Sequence, residues 1–298
     1  MFKKKNKDQG LYLSDKQPLN TLGKILLVLS YVILFAWAII IIWPLAVMVI
    51  SSFNGNQDKY ISMAGKFIFS TKHFKYLFEN TDFLLWVRNT VFIAIATALL
   101  TLVIVSFTGY AYSRYRFKGK KMSLMGIMLI QTIPTFAGIT AYYAIHSIIS
   151  GIVPVFSRTA MLILIYSAGG IASNTFILKG YIDSISKELD DAAKIDGCSN
   201  FEVYRLIIMP IARPMLAIIA LWSFIGPFMD YMLPAILLTN SKQYTLATGL
   251  FTLVSDMRTM NAPAFAAGGL LTAIPIITLF ISLQNQLVSG LSSGSVKG

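Results

Sequence analysis

The densest group of acidic side chains in this chain lies in one stretch, DAAKIDGCSNFEVYRLIIMPIARP (Asp191–Pro214), with Glu188 and Asp190 just ahead of it. Acids at this density could serve general acid–base chemistry or hold a metal, but either use needs convergent partners. None is spaced for it. His73 and His146 stand alone, and Cys198 is the single cysteine. There is no G-x-x-x-x-G-K-[ST] phosphate loop and no His/Cys metal cluster in the sequence. The chain therefore reads as non-catalytic and as one that does not hydrolyse ATP itself. Both histidines are expected at the surface, and Cys198 is expected as a small residue at a turn. One cysteine permits no intramolecular disulfide and carries no information on compartment.

The stretch reads instead as a shape. Ser186 can cap a helix start, which puts Glu188, Asp190 and Asp191 in the first turn, where the helix dipole favours acids. Leu189, Ala192 and Ala193 then form a narrow apolar face of small side chains. Asp196-Gly197 stops that helix, with Gly197 suited to a left-handed position after the end. Ser199-Asn200-Phe201-Glu202 is a capping box, with Ser199 at the cap and Glu202 three residues on. It starts a second short helix with Phe201, Tyr204 and Ile208 on one face. Pro210 and Pro214 disfavour helical backbone at Met209 and Arg213 and bend the chain into the apolar segment that follows. The product is a helix-turn-helix elbow at a membrane surface, whose alanines let another surface approach closely. On local physics alone an ordinary amphipathic connector is the more economical reading, and a docking handle the sharper one.

The elements that would hold this elbow are apolar. Of 298 residues, 56% are hydrophobic and 13% charged, and the mean hydropathy is +0.67. Soluble domains carry about 25% charged residues, so the bilayer is the solvent this composition implies. Runs of about 20 apolar residues mark the spans. Six are found, at 25–50, 91–112, 122–145, 159–178, 211–238 and 264–287. The first is too long for a signal-peptide core and has no small-residue cleavage site nearby, so it is expected as an uncleaved membrane helix. The third is interrupted by Gln131 and Pro134, and the fifth holds prolines at 214, 227 and 234.

Sidedness follows from Lys and Arg. The N-terminal tail, the basic turn AYSRYRFKGKK, the elbow segment and the C-terminal tail hold 17 of the 25, and the opposite segments hold eight. The bias gives an N-in, C-in topology. It also accounts for the net charge of +12 through anionic lipid headgroups rather than nucleic acid. The outer segments are 51–86, expected to be partly helical at the interface, 146–158 and 239–263. No low-complexity tract and no internal repeat is found.

Four residues in the spans could line a solute path. Asp230 is an acid at membrane depth, which is costly and by default functional, although Tyr231 and the prolines put it near a helix end. Gln131 and Asn174 are polar in apolar settings, where hydrogen bonding between helices competes with lining a path. Trp222 could stack on a sugar face or pack in a core. A secondary transporter would want several intramembrane acids and an internal repeat, and only Asp230 is available.

The order D-A-A-x-x-D-G, with prolines at 210 and 214, resembles the EAA loop of the membrane permeases of binding-protein-dependent ABC importers. Asp191 stands where that family has Glu, and Cys198 where it has Ala. The basic turn AYSRYRFKGKK, LTNSKQYTLATGL and the tail LVSGLSSGSVKG are similar to the smaller permease of maltose/maltodextrin importers. The resemblance implies an all-α membrane protein with six transmembrane helices, the type I ABC importer transmembrane domain, in a bacterial cell (inner) membrane. It divides the chain into a cytoplasmic tail (1–24), a first helix (25–50), an outer loop (51–86), a core (87–287) with a coupling loop at 179–210, and a cytoplasmic tail (288–298). It implies that Glu188, Asp191, Ala192, Ala193, Asp196, Gly197, Phe201, Tyr204, Arg205 and Pro210 meet an ATPase, with a further contact from Gly294, Val296 and Lys297. It also implies no cofactor in this chain, since ATP and Mg²⁺ would be bound by two cytoplasmic ATPase subunits. The other partners implied are a second permease subunit, an extracellular or periplasmic sugar-binding protein and membrane lipid, with no nucleic acid. The sugar would be a maltodextrin, with another oligosaccharide or a glycoside as the alternative.

Overall fold

The computed structural model describes residues 21–61, 66–132 and 138–294, with side chains described as far as Gln286. Its helices are α1 (Thr21–Ser52), α2 (Lys72–Asn80), α3 (Phe83–Arg114), α4 (Lys120–Ile130), α5 (Ile139–Ile152) and α6 (Arg158–Asp183). There follow α7 (Glu188–Ile195), α8 (Asn200–Glu202), α9 (Met209–Ile211), α10 (Arg213–Met229), α11 (Met232–Leu237), α12 (Leu246–Ser255) and α13 (Ala262–Gly294). Among the described residues the only extended pairing is a single bridge between Asn54 and Phe69. The chain forms two compact units, one running to Val47 and the other from Met48. The first is most of α1, which has no charged residue after Lys24.

Four helices are long and apolar enough to cross a bilayer: α1, α3, α6 and α13. A fifth span comes from the pair Asn200–Ile211 and Arg213–Met229, bent by 76° at the joint. Four of the six expected spans thus fall on single long helices. The third does not. Residues 120–130 and 139–152 form α4 and α5, each too short to span alone, and 133–137 between them lie outside the described residues. The fifth is broken at its outer end, where α10 stops at Met229 and α11 begins at Met232.

Within the second unit α3 is the central post, packed along α6 and α10, while α10 and α12 pack on α13. Three apolar clusters lie along it. One is formed by Leu77, Phe83, Trp86, Phe224, Phe228, Leu246 and Leu250. A second joins Ile93, Leu162, Leu233 and Leu237. The third joins Val105, Leu178, Ile182, Ala193, Val203 and Ile208, and so includes the elbow. α3 begins at Phe83, eight residues before the expected span, because its first turns bury Phe83, Trp86 and Thr90 against the outer segments.

The outer segment 239–263 is not a plain loop. It contains α12, whose Leu246, Leu250 and Leu253 recur at helical spacing and are buried. Thr245 caps it by accepting from the Thr248 N–H at 3.4 Å. α3 holds the approach to it: the Trp86 indole donates to Ser241 O at 3.0 Å, the Asn89 amide to Lys242 O at 2.8 Å, and Leu246 N donates to the Thr90 hydroxyl at 2.6 Å. Close packing needs glycine at 249, where a Cβ would lie 2.1 Å from Trp86 Cδ2.

The expected partly helical outer segment 51–86 is present as α2 and the Asn54–Phe69 bridge. His73, expected at the surface, is buried instead, with its ring Nε2 3.1 Å from Asn54 O. Burial pushes its pKa below the ordinary histidine value. Lys72 donates to Asp58 at 2.6 Å and to Gly55 O, which pins the same corner and holds the Asp58 carboxyl below its usual range.

Gly249→Ala should lower the midpoint of thermal unfolding of the detergent-solubilised protein, at a cost of at least about 1–3 kcal/mol for overpacking. Trp86→Leu in the same chain should recover part of the loss, because it removes the ring that the new methyl would strike.

Candidate functional site

The elbow is built from local caps, most of them the expected ones. Ser186 Oγ accepts from Glu188 N at 3.3 Å, ahead of α7. At the other end Cys198 N donates to Ala193 O at 2.9 Å and Gly197 N to Lys194 O at 3.0 Å. With Gly197 at φ +92°, these two bonds make a Schellman closure. The capping box is complete: Glu202 N donates to Ser199 Oγ at 3.3 Å and Ser199 N to Glu202 Oε2 at 2.7 Å.

After the box the structure departs from the expected plain helix. Val203–Ile208 is a π-helix, an unusual element that recurs at functional sites. Met209 and Arg213 are helical, so the prolines do not break the chain where expected. Pro210 and Pro214 lie in the first turns of α9 and α10, positions that need no N–H donor. The 76° bend falls between them, at Ala212.

What fixes the elbow to the membrane core was missed by sequence reasoning. Arg114, counted there only as a basic turn residue, is buried against Asp190. Its Nε lies 2.6 Å from Asp190 Oδ2, and the two side chains are 6% and 9% exposed. The guanidinium also donates to Ile182 O and Ile185 O, each at 3.1 Å. These are carbonyls at the end of α6, where helix termini leave acceptors free and a cation is favoured. Asp190 lies in the first turn of α7, where an acid is favoured. One ion pair therefore joins the ends of α3 and α6 to the start of α7. Nearby, Ser113 and Lys179 both donate to Asp183, at 2.6 and 2.5 Å. The second half of the elbow is held by Tyr204, whose hydroxyl donates to Ser106 Oγ at 2.9 Å and whose ring stacks on Phe107.

These contacts decide which elbow residues face outward. Ala193 is buried and Tyr204 and Pro210 are half-buried, and Ala193 and Tyr204 pack in the chain's own core. Ala193 turns inward because it shares a face with Asp190. Glu188, Asp191, Ala192, Asp196, Gly197, Phe201 and Arg205 are exposed. The outer surface is not merely small, because Leu189, Ile195 (86% exposed) and Phe201 (57%) project beside the acids. Large exposed apolar side chains rimmed by charge mark an interaction surface. Of the expected tail contacts, Gly294 ends α13, seven residues past the expected end of the span, while Val296 and Lys297 lie outside the described residues.

The four residues weighed as path lining come together around one cavity of about 400 Å³ between α3, α6 and α10. Asn174 and Trp222 line it directly, as do Tyr166, Ser173 and Ser223. Gln131 reaches its wall, donating to Gly169 O at 2.9 Å and Ser173 Oγ at 3.3 Å. Asp230 borders it through Tyr166, whose hydroxyl donates to Oδ2 at 3.0 Å. The other carboxylate oxygen accepts from Met232 N and Leu233 N at 2.8 and 3.3 Å, which caps α11. Asp230 is thus the clasp of the broken fifth span.

Asp190→Ala should destabilise the protein by about 3–5 kcal/mol, because it leaves Arg114 buried without its counter-charge. Arg114→Met combined with Asp190→Leu should recover most of that loss. Thermal unfolding of the purified single and double variants in detergent measures both effects.

Residues 106–293 match the family model described as "Binding-protein-dependent transport system inner membrane component". The maltodextrin transport system permease protein MdxG of Bacillus subtilis is 39% identical over 269 residues, which is 90% of this chain and 95% of that one. The galactooligosaccharides transport system permease protein GanQ of the same organism is 40% identical over 276 residues, 91% and 96% of the two chains. Among solved structures, a bacterial ABC transporter involved in import of the acidic polysaccharide alginate superposes with a TM-score of 0.73 at 17% identity, covering 91% of this chain and 99% of that one. The fold, the match across the elbow and the two permease relatives agree: this chain belongs to the family of inner membrane components of binding-protein-dependent transport systems and is a multi-pass permease subunit.

Proposed function

We propose that this chain forms half of the translocation pathway of an ATP-driven importer for an uncharged oligosaccharide, a maltodextrin in the first instance. Its elbow is the handle gripped by one of two separate ATPase subunits that drive transport. One observation carries the reading: the exposed face of Leu189, Asp191, Ile195, Asp196 and Phe201 stands on an elbow clamped to α3 and α6 by the buried Arg114–Asp190 pair. A push on that face is transmitted to the spans rather than absorbed locally. ATP and Mg²⁺ belong to the ATPase subunits, a second permease completes the pathway, and a sugar-binding protein delivers the solute on the outer side. The segment from Gly294 through Val296 and Lys297 adds a second contact to the ATPase pair. The relatives are named for maltodextrin and for galactooligosaccharides, both neutral sugars, which supports the substrate class. Ion coupling is the weaker reading, because both oxygens of Asp230 are engaged in capping and in the Tyr166 bond.

Gly197→Val tests the handle. The position is sterically open, so the cost is backbone strain alone, about 1–2 kcal/mol for a branched residue at positive φ. In proteoliposomes holding the whole complex, ATP-driven uptake of labelled maltotriose should fall at least tenfold while membrane insertion is normal. Unchanged uptake would remove the docking reading. Deleting Gly294–Gly298 should weaken the stimulation of ATP hydrolysis by sugar-loaded binding protein. Wild-type stimulation would show the tail to be a free end.

A further inference from the structure

Arg114 closes α3, and the turn just beyond it is a cluster of cations. Residues 115–121 (YRFKGKK) hold Arg116, Lys118, Lys120 and Lys121, and no Asp or Glu stands in the sequence between Asp82 and Asp183. The acids that packing brings to this end of α3 are already engaged, Asp190 by Arg114 and Asp183 by Ser113 and Lys179. Lys120 turns back and donates to Tyr115 O at 3.0 Å. Arg116, Lys118 and Lys121 have no acid partner among the described residues. The turn is nonetheless built. Gly119, at φ +82°, lets the chain pass directly into α4, where Ser123 N donates to Gly119 O at 2.8 Å. The Tyr112 hydroxyl of α3 donates to Ser123 Oγ at 3.0 Å, and the Phe117 ring lies 5.6 Å from that of Tyr112.

An uncovered apolar helix continues from these cations. No residue of α4 is buried. Met122, Met125 and Leu129 recur on one face of it and are 80%, 54% and 64% exposed. Cations at the start and a bare apolar stripe beyond them match a ligand with an anionic head and a hydrocarbon tail. Clusters of four or more Lys and Arg just inside a membrane helix attract anionic headgroups, and tyrosines such as Tyr112 and Tyr115 belong at that depth. An ATPase subunit could meet the cations, but a water-soluble surface would not follow the stripe. The elbow, at the same end of the bundle, presents both signs, with Glu188, Asp191 and Asp196 exposed beside Lys187 and Lys194, whereas the turn presents cations alone. A free phosphate ion would leave the stripe unused.

We propose that the turn and α4 form a binding site for one anionic phospholipid of the leaflet on the elbow side. Arg116, Lys118 and Lys121 hold the headgroup, and an acyl chain lies along Met122, Met125 and Leu129. The site is independent of which solute the chain carries. It places a lipid at the exit of α3, next to the residue that clamps the elbow.

The test uses the complete complex, with partner subunits free of reactive cysteine, in phosphatidylcholine vesicles containing a minor share of phosphatidylglycerol. In a Cys198→Ser background, Gly126→Cys carries a bimane label on α4, at a position where a Cβ meets nothing within 4 Å. Each cation beside an anionic headgroup adds about a fivefold preference, so at low salt the label should select acyl-brominated phosphatidylglycerol over brominated phosphatidylcholine as quencher by at least about tenfold. Arg116→Gln with Lys118→Gln and Lys121→Gln should bring the ratio near one. Lys187→Gln with Lys194→Gln and Arg213→Gln removes the same charge from the same side and should leave the ratio unchanged. Where the first triple variant does not assemble, Lys118→Gln alone should lower the ratio about fivefold. Equal quenching by the two lipids overturns the site, and so does an equal loss in both triple variants, which would reflect general surface charge. Quenching by neither lipid would show α4 covered by another subunit and overturns it too. Loss of the preference in excess inorganic phosphate would assign the cations to a free ion. Loss of the ATPase subunits from the first triple variant, with lipid selection intact, would assign the turn to the ATPase instead.

Discussion

A single buried ion pair holds the working parts of this permease in register. Arg114 ends α3, the central post of the second unit, and its guanidinium fills the acceptors left open at the end of α6 while pairing with Asp190 at the start of α7. Burying both charges is expensive, and the pair is tolerable because nearly every donor of the fork finds an acceptor. A hydrophobic pair would pack as well, but it would not select one geometry among three helix ends. The elbow is therefore a rigid extension of the spans.

The same logic recurs wherever a helix is interrupted. The break in the fifth span would leave backbone N–H groups exposed at membrane depth, and Asp230 accepts two of them while Tyr166 occupies its other oxygen. Gln131, at the end of α4, donates to a carbonyl of α6. Polar residues in the spans are thus spent on joints between helices, and those joints gather around the cavity of Trp222, Asn174 and Thr97. The wall of that cavity and the seams of the bundle draw on the same side chains.

Much of the architecture was legible in the sequence. The apolar runs marked four of the five helical spans closely, and the elbow's Gly197 closure and Ser199–Glu202 box could be read residue by residue. The third span was not legible as two helices, because hydropathy averages over a break. α12 was overlooked because its ten residues fall short of a span, although Thr245 and the Leu246–Leu250–Leu253 spacing announce a capped, buried helix. Pro210 and Pro214 suggested breaks at Met209 and Arg213, but both residues are helical and the bend falls between the prolines, at Ala212.

What the sequence determined by itself is what depends on neighbours a few residues away: helix starts and stops, the left-handed glycine, and runs apolar enough to need lipid. What the tertiary structure decided is which of those residues face inward. Arg114 and Asp190 are 76 positions apart, His73 is buried under a corner made by Asn54, and Ala193 turns to the core while Ile195 and Phe201 do not. The reason is physical. Caps and turns are closed by hydrogen bonds within one or two turns of chain, so their chemistry is written locally. The burial of a charge or a ring depends on which distant helix arrives beside it, and that is set only when the bundle packs.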